Sequence, residues 1–343
     1  MRFNPVAGPL VAAVLMVTLS AGLQTTAQEP AAAPSPEFTA WLADVRTEAL
    51  QRGISEATVN RALTGLVPEP VVVARDRAQP EQVQSLDTYL RQRLSTSTVR
   101  SANTMRVQHA QVLSRIEARY GVRPDVLIAV WGIESNFGQF TGSRPIITAL
   151  ATLAFDPRRA TLFRAELFHA LTILDRGHIA LDELKGSWAG AMGQPQFMPS
   201  SYLKHAVDFD EDGRADIWNT QADVFASIAN YLKNAGWMSG ERWGREVRVS
   251  RATLDRIERQ VPMRSSGCRA VREMTQARPL RAWAKLGVVQ ANGRPLPKAD
   301  MDASLVRGVK QHFLVYRNYH ALIDYNCSNS YAVSAGVLSD RVQ

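Results

Sequence analysis

The sequence predicts a mainly α-helical protein that carries a small mixed α/β segment near its C-terminus. From Arg123 to Trp237, apolar residues recur at helical spacing in successive segments. After Gly240, REVRVS and HFLVYRN have strand patterns, and residues 262–300 between them hold most of the late Pro and Gly residues. Hydrophobic residues make up 45% of the 343 residues and charged residues 21%, which argues against a mainly disordered chain.

Residues 1–27 predict a signal peptide that is cleaved during export. Arg2 gives a short basic region, residues 6–23 are apolar and nearly uncharged, and small residues up to Ala27 suit cleavage. A permanent membrane anchor is the alternative, but Gly8-Pro9 interrupts this short apolar stretch. No later segment approaches the roughly 18 apolar residues of a transmembrane helix. We therefore expect a periplasmic mature protein with no permanent membrane span and no lipid anchor.

An N-terminal helical region is predicted over residues 37–122, after a flexible Pro/Ala linker at 28–36. Its first helix should begin at Ser35-Pro36-Glu37, with Ser35 as the cap and Pro36 at the first helical position. Ser55 should cap the second helix. The first helix should end near Gly53, and further helices are predicted over 56–66, 83–94 and 97–119. The Pro-rich segment at 67–82 is predicted to be irregular.

A second helical region is predicted over residues 123–240. Its helical segments are 123–138, 144–155, 158–177, 194–207 and 222–237. Residues 241–318 predict a small mixed α/β insertion, and residues 319–343 predict a C-terminal helix that returns to the helical body. The sequence shows no internal repeat.

The net charge of +8 predicts attraction to anionic partners. Because export removes the chain from the cytoplasm, we expect an acidic cell-wall polymer as the partner and no nucleic acid. An oxidising compartment also permits a disulfide between Cys268 and Cys327, although two buried free thiols remain the alternative. We expect a monomer, because neither a heptad pattern nor an exposed apolar stripe argues for association.

Glu134 is a candidate general acid. On a helix over 123–138, its neighbours three, four and seven residues away include Trp131, Val130, Leu127 and Phe137, so the carboxyl lies on an apolar stripe. Burial disfavours the charged form, so we expect the pKa of Glu134 to be raised, as a proton donor near neutral pH requires. A structural Glu bonded to backbone at a helix end is the alternative.

Small residues, amides and aromatic residues are mixed in the segment 186–202, GSWAGAMGQPQFMPSSY. Small residues allow a ligand to approach the backbone, amides can bind hydroxyl and acetamido groups, and aromatic rings can stack on sugar faces. A tight crossing of two helices would use the same composition.

The acidic segment 208–216 fits the start of an EF-hand loop. Asp208, Asp210 and Asp212 occupy positions 1, 3 and 5, Gly occupies position 6, and Arg214 offers a carbonyl at position 7. Asn219 stands where a bidentate Glu is usual, but Asp223 could close a longer loop. The sequence favours a structural Ca²⁺ site, with an acidic turn that holds no metal as the alternative.

Five motifs in order resemble the lytic murein transglycosylase B family over residues 37–343. They are ESNFG at 134–138, FDPRR at 155–159, the segment 186–202, ANYL at 229–232 and Tyr325-Asn326. The resemblance implies a largely α-helical protein with a lysozyme-like core. It also implies cleavage of the β-1,4 bond between N-acetylmuramic acid and N-acetylglucosamine in peptidoglycan, which leaves a 1,6-anhydro end.

The resemblance also implies roles for individual residues. Glu134 matches the catalytic acid/base, and Arg158 and Arg159 match residues near peptide or sugar substituents. The positions that match glycan-contacting or cleft-lining residues are Ser187, Gln196, Phe197, Tyr231, Tyr325, Asn326 and, as a further wall residue, Tyr89. Two departures stand out: Gln194-Pro195 replaces a common Tyr-Gly, and Cys327 follows Asn326 where a His is common.

The implied reaction needs one carboxyl group and no cofactor, because the substrate's own 6-hydroxyl replaces the water of ordinary glycosidases. Asp156 and Asp175 are the nearby acids most able to contradict this. The alternatives are a muramidase that uses water and a non-catalytic peptidoglycan-binding scaffold, and other cell-wall enzymes are possible partners.

Overall fold

In the computed structural model, residues 33–78 and 84–342 are described. These ranges contain 16 helices and seven short strands, so the predicted mainly α-helical fold is confirmed. The predicted signal peptide and residues 28–32 of the linker lie outside the described residues. None of the described helices is long and apolar enough to cross a membrane.

Six helices form the N-terminal region. They are α1 (Pro36–Gln51), α2 (Glu56–Leu63), α3 (Pro70–Ala78), α4 (Leu86–Arg93), α5 (Thr96–Gln108) and α6 (Ala110–Tyr120). Ser35 and Ser55 cap α1 and α2 as predicted, because each hydroxyl accepts the backbone N–H three residues later. Two predictions were wrong. The Pro-rich segment contains α3, which tolerates Pro70 at its first position, and the helix predicted over 97–119 is interrupted at His109, whose ring packs on Trp131 and Phe225.

Five helices and a two-stranded ribbon follow. They are α7 (Pro124–Ser135), β1 (Arg144–Pro145), α8 (Ile146–Phe155), α9 (Ala160–Asp175), β2 (Lys185–Gly186), α10 (Pro199–His205) and α11 (Gln221–Asn234), with β1 antiparallel to β2. The helix predicted over 194–207 is reduced to α10. Residues 186–198 instead form the glycine-rich hairpin, in which Met192 pairs with both Gly186 and Phe197. Gly190, Gly193 and Gln196 have positive φ there, which is incompatible with a right-handed helix.

The predicted insertion contains a five-stranded antiparallel sheet. Its elements are β3 (Gly244–Arg248), α12 (Arg251–Gln260), α13 (Arg269–Arg272), β4 (Arg278–Pro279), α14 (Leu280–Lys285), β5 (Val289–Gln290), β6 (Asp302–Arg307) and β7 (His312–Val315), in the order β4-β6-β7-β3-β5. The C-terminal part is two helices rather than one, α15 (Arg317–Tyr325) and α16 (Asn329–Arg341), because Ser328 caps a new helix by accepting the Tyr331 N–H.

Three hydrophobic clusters hold these elements together. One contains the buried faces of α7, α11, α15 and α16, together with side chains of α4–α6. A second contains α1, α2, α8 and α9, and it includes the hairpin residues Met192 and Phe197. The third lies within the insertion. Tyr325 packs against both of the first two clusters, so α15 places this residue at their junction.

Candidate active site

Glu134 lies in the last turn of α7 and is half-buried. The helix stops there because Asn136, Phe137 and Gly138 all adopt left-handed backbone angles, with φ of 49°, 59° and 78°. This conformation is costly for a bulky residue such as Phe137, and packing compensates the cost. The Phe137 ring folds back over Gly132, where a Cβ would lie 2.6 Å from a ring carbon. The turn thus fixes the point at which the Glu134 side chain leaves the helix.

Two phenols lie close to the Glu134 carboxylate. Burial, and after it the negative charge of Glu134, raises the pKa of Tyr325 and of Tyr331 well above the usual value for tyrosine. Both phenols therefore stay protonated. The Tyr331 O–H can donate to the carboxyl, whereas the single O–H of Tyr325 donates to the Pro195 carbonyl. Tyr89 also contributes to the raised pKa of Tyr331, so the predicted wall residue on α4 lies near the same site. Tyr331 carries no motif in the sequence that marks it as a site residue, although it follows Tyr325 by six residues on the returning helical segment.

Aromatic rings extend from these phenols into the second hydrophobic cluster. The Tyr231 and Tyr325 ring centroids are 4.6 Å apart, and His205 lies 4.5 Å from Tyr231. The Tyr231 hydroxyl donates to the Asp324 carbonyl at 2.7 Å. Phe197 packs at 5.7–5.8 Å against both tyrosines but is only 2% exposed. This burial leaves little of the Phe197 ring surface for the predicted glycan contact, and the ring packs against the two tyrosines.

The glycine-rich hairpin is tied to the turn after α7. The Gln196 amide donates to the Thr141 carbonyl at 3.1 Å and to the Gly193 carbonyl at 2.8 Å. A Cβ on Gly142 would lie 2.1 Å from the Gly186 backbone, so the two segments cross in direct backbone contact. Ser187 stabilises the hairpin turn, because its hydroxyl accepts the N–H groups of Ala189 and Ala191. The Tyr325 hydroxyl donates to the Pro195 carbonyl at 2.7 Å, which joins α15 to the hairpin. Asn326 follows at the exposed end of this helix.

Arg158 and Arg159 are engaged in structural ion pairs. Both guanidinium groups bind Asp76 of α3, whose carboxyl is buried, and the Arg159–Asp76 distance is 2.9 Å. These contacts hold α3 against the start of α9. The two arginines are half-exposed, and the single Asp76 carboxylate compensates only one of their two positive charges.

The two acids that the sequence offered as a possible second carboxyl, Asp156 and Asp175, contact other partners. Asp156 accepts the Arg158 N–H and pairs with Arg77, and these contacts lower its pKa. Asp175 accepts the Ser55 hydroxyl and N–H, which together with Thr58 lowers its pKa. Neither carboxyl therefore resembles a protonated donor.

The acidic loop contains three converging carboxylates. Oxygen atoms of Asp208, Asp210 and Asp212 all lie within 4.8 Å of one another, and such hard oxygen donors suit Ca²⁺. Asp223 is not one of these three. Its two oxygens accept the N–H groups of Phe209 and Asp216 at 2.7 and 2.8 Å, so it closes the loop by hydrogen bonds. Burial, followed by the charges of Asp210 and Asp208, raises the pKa of Asp223 to about 6.

The two cysteines form a disulfide. Cys268 and Cys327 have Cα atoms 6.3 Å apart and are separated by 59 residues in sequence. The bridge joins the residue that precedes α13 to the linker between α15 and α16, directly after Tyr325-Asn326. It therefore anchors one end of the helix that supplies Tyr325.

The fold belongs to a known class. Residues 37–340 match the Transglycosylase SLT domain family, and the chain belongs to this family. The resemblance to lytic murein transglycosylases of the B type is thereby confirmed. Over 136 residues, the chain is 43% identical to the membrane-bound lytic murein transglycosylase B of Escherichia coli, and this match covers 39% of the chain and 37% of the relative.

Solved structures are similar over most of the chain. SltB3 of Pseudomonas aeruginosa, in complex with NAG-anhNAM-pentapeptide, superposes with a TM-score of 0.79 at 39% identity, and the match covers 88% of this chain and 78% of SltB3. SltB1 of the same organism gives a TM-score of 0.75 at 27% identity over 88% of this chain and 97% of SltB1. Escherichia coli Slt35 in complex with calcium gives 0.72 at 27% identity, with coverages of 89% and 92%.

Proposed function

We propose that the protein is an exported lytic transglycosylase that cleaves the β-1,4 bond between N-acetylmuramic acid and N-acetylglucosamine in peptidoglycan. The observation that carries this proposal is the half-buried Glu134 carboxyl beside the protonated phenols of Tyr325 and Tyr331. Family membership supports it, and the match to SltB3 in complex with an anhydro-sugar peptide supports the cyclised product.

In the proposed reaction, the protonated Glu134 donates its proton to the glycosidic oxygen, and the bond from that oxygen to the anomeric carbon breaks. An oxocarbenium-like centre forms on the muramoyl sugar. The Glu134 carboxylate then removes the proton of the same sugar's 6-hydroxyl, whose oxygen bonds to the anomeric carbon. No water is consumed, and Glu134 ends in its starting protonation state, so one carboxyl group is sufficient.

The surrounding residues would bind and orient the glycan. We assign the walls of the cleft to Tyr89, Tyr231, Tyr325 and Asn326, and its glycine-rich side to Ser187 and Gln196. Phe197 acts by supporting the tyrosine rings. Arg158 and Arg159 would act on substituents through the parts of their guanidinium groups that Asp76 leaves exposed.

The acidic loop would hold a structural Ca²⁺ through Asp208, Asp210 and Asp212, with the Arg214 carbonyl as a further ligand and Asp223 closing the loop. The calcium complex of Slt35 supports this assignment. Calcium would stabilise the segment that precedes α11, which carries Tyr231, and would take no part in proton transfer. We therefore expect the activity to persist when a chelator removes calcium, as long as the protein stays folded.

Mass spectrometry of soluble products from purified sacculi tests the reaction. A cyclised product is about 18 Da lighter than the hydrolysed one, the mass of one water. We expect the lighter species. Reducing-end products would identify a muramidase, and sacculi that are bound but not cleaved would identify a scaffold. N-terminal sequencing of the exported protein tests the signal peptide, with Gln28 expected as the first residue.

A further inference from the structure

Gln194 connects the helix of Glu134 to two other segments, and its side chain is 5% exposed. Its Oε1 atom accepts a hydrogen bond from the Trp131 indole at 2.7 Å, in the turn of α7 directly before Glu134. Its Nε2 atom donates to the Trp218 carbonyl at 2.8 Å, and its backbone N–H donates to the Ile217 carbonyl at 2.9 Å. One residue thus joins α7, the glycine-rich hairpin and the chain that follows the acidic loop.

The chemistry of its partners fixes the orientation of the Gln194 amide. An indole N–H can only donate, so the Trp131 partner is an oxygen, and a carbonyl can only accept, so the Trp218 partner is an NH₂ group. The same amide also contacts the far side of the catalytic turn, because a Cβ on Gly138 would lie 2.5 Å from the Gln194 oxygen. The amide therefore contacts α7 before Glu134 and the backbone after it.

The indole that Gln194 holds is central to the packing of this turn. Trp131 packs edge-on against Phe137 at 5.5 Å and against Phe225 of α11 at 5.0 Å. Phe137 is one of the left-handed residues that end α7. A rotation of Trp131 would therefore be transmitted to the turn that sets the direction of the Glu134 side chain.

We propose that Gln194 is a positioning residue for proton transfer, which keeps the Glu134 carboxyl aligned with the glycan through its contacts with Trp131 and Gly138. The inference rests on the proposed transglycosylase function. A small displacement of a catalytic group costs about 100-fold in rate, whereas the glycan contacts of the cleft walls remain. Loss of the amide should consequently lower kcat by about 10- to 100-fold and leave KM nearly unchanged.

Gln194→Met tests the proposal, because it keeps the length of the side chain and removes both hydrogen bonds. Gln290→Met is the matched control, since the Gln290 amide also donates to a backbone carbonyl, at 2.7 Å, but lies in the insertion. Turnover of sacculi and of soluble glycan should fall for the first variant and stay at the wild-type value for the second. Equal kcat in the two variants, or a fall carried by KM alone, would overturn the proposal.

Gln194→Glu gives a second signature that a general packing role would not produce. Its ionised carboxylate would face the Trp218 carbonyl oxygen and repel it, whereas its protonated form would donate to that oxygen and restore the link. The ratio of variant to wild-type kcat should therefore rise as pH falls, while circular dichroism stays native. A ratio that is constant with pH on a folded protein would contradict the proposal. If wild type itself releases no product, the proposed function fails instead.

Discussion

At the scale of single residues, the site depends on groups whose state is set by burial. Glu134, Tyr325 and Tyr331 lie together where α7, α15 and α16 meet. The positive-φ turn ends α7 directly after Glu134, and two protonated phenols lie near its carboxyl. The Tyr331 hydroxyl is thereby kept as a hydrogen-bond donor beside the carboxyl that we propose as the acid/base.

Replacement of Tyr325 by Phe removes the hydrogen bond to the Pro195 carbonyl. The expected loss is about 1 kcal/mol in the free energy of unfolding, measured by urea denaturation, together with reduced turnover. Tyr120→Phe is the control, because the Tyr120 hydroxyl makes no hydrogen bond to any residue in 33–78 or 84–342. An equal loss in both variants would show that the Pro195 contact contributes nothing specific.

His205, which packs on Tyr231, should make stability depend on acidity. Burial, followed by the charge of Lys204, lowers the pKa of His205 to about 4, so the folded protein holds this ring neutral. The neutral ring contributes to the free energy of unfolding above about pH 6.5, and this contribution is lost as the pH falls toward 4. Between pH 7 and 5 the free energy of unfolding should fall by roughly 1–2 kcal/mol. Between pH 7 and pH 5, His205→Gln should lose correspondingly less free energy of unfolding than wild type, measured by urea denaturation at the two pH values. The same pH dependence as in wild type would contradict this.

Several of these residues could be singled out from the sequence, because they lie in recognisable local patterns. Glu134 was recognisable from its place on an apolar helical stripe, and Tyr231 and Tyr325 from motifs. Tyr331 and Gln194 were not assigned roles, since their partners lie in distant segments and depend on how helices pack. The burial of Phe197 could not be predicted either, because a motif shows residue type but not how deeply a side chain lies.

At the scale of elements, the residues that cap helices could be predicted, whereas the points at which helices are interrupted could not. Ser35 and Ser55 identify helix starts through a contact three residues away. The interruption at His109 and the hairpin in place of a helix over 194–198 result from tertiary packing. Local propensity in both segments favours a longer helix, and tertiary contacts override it.

Calcium binding to the acidic loop should release protons near pH 6. Asp223 has a pKa of about 6 because it is buried near Asp210 and Asp208, and a bound cation would compensate those charges and lower it. Affinity should therefore rise with pH between 5 and 7. Calorimetry in two buffers of different ionisation enthalpy measures the release, and Asp208→Asn is the control that should remove binding. Identical heats in both buffers at pH 6 would contradict the linkage.

At the scale of the whole molecule, the hydrophobic clusters do not follow the order of segments along the chain. The N-terminal helices divide between two clusters, with α1 and α2 in one and α4–α6 in the other. Sequence boundaries at 122 and 240 describe changes of pattern, whereas packing joins α4 and α7 to α16. Long-range contacts of this kind leave no signature in a single sequence.

The disulfide should stabilise the molecule as a whole. It closes a segment of 59 residues between Cys268 and Cys327, for which chain-entropy estimates give about 4 kcal/mol. We expect the double variant Cys268→Ala/Cys327→Ala to lose up to that amount in urea unfolding, with reduced turnover because the end of α15 is released. Unchanged stability of the double variant, measured against oxidised wild type, would contradict this.

The most direct test of the account compares wild type with Glu134→Gln on purified sacculi, with release of muropeptides and sedimentation of the protein with sacculi measured in parallel. We predict that wild type releases anhydro-muropeptides, and that Glu134→Gln binds sacculi equally well, unfolds at the same urea concentration and releases none. Release of the same products by the variant at a comparable rate would contradict Glu134 as the acid/base and, with it, the single-carboxyl mechanism.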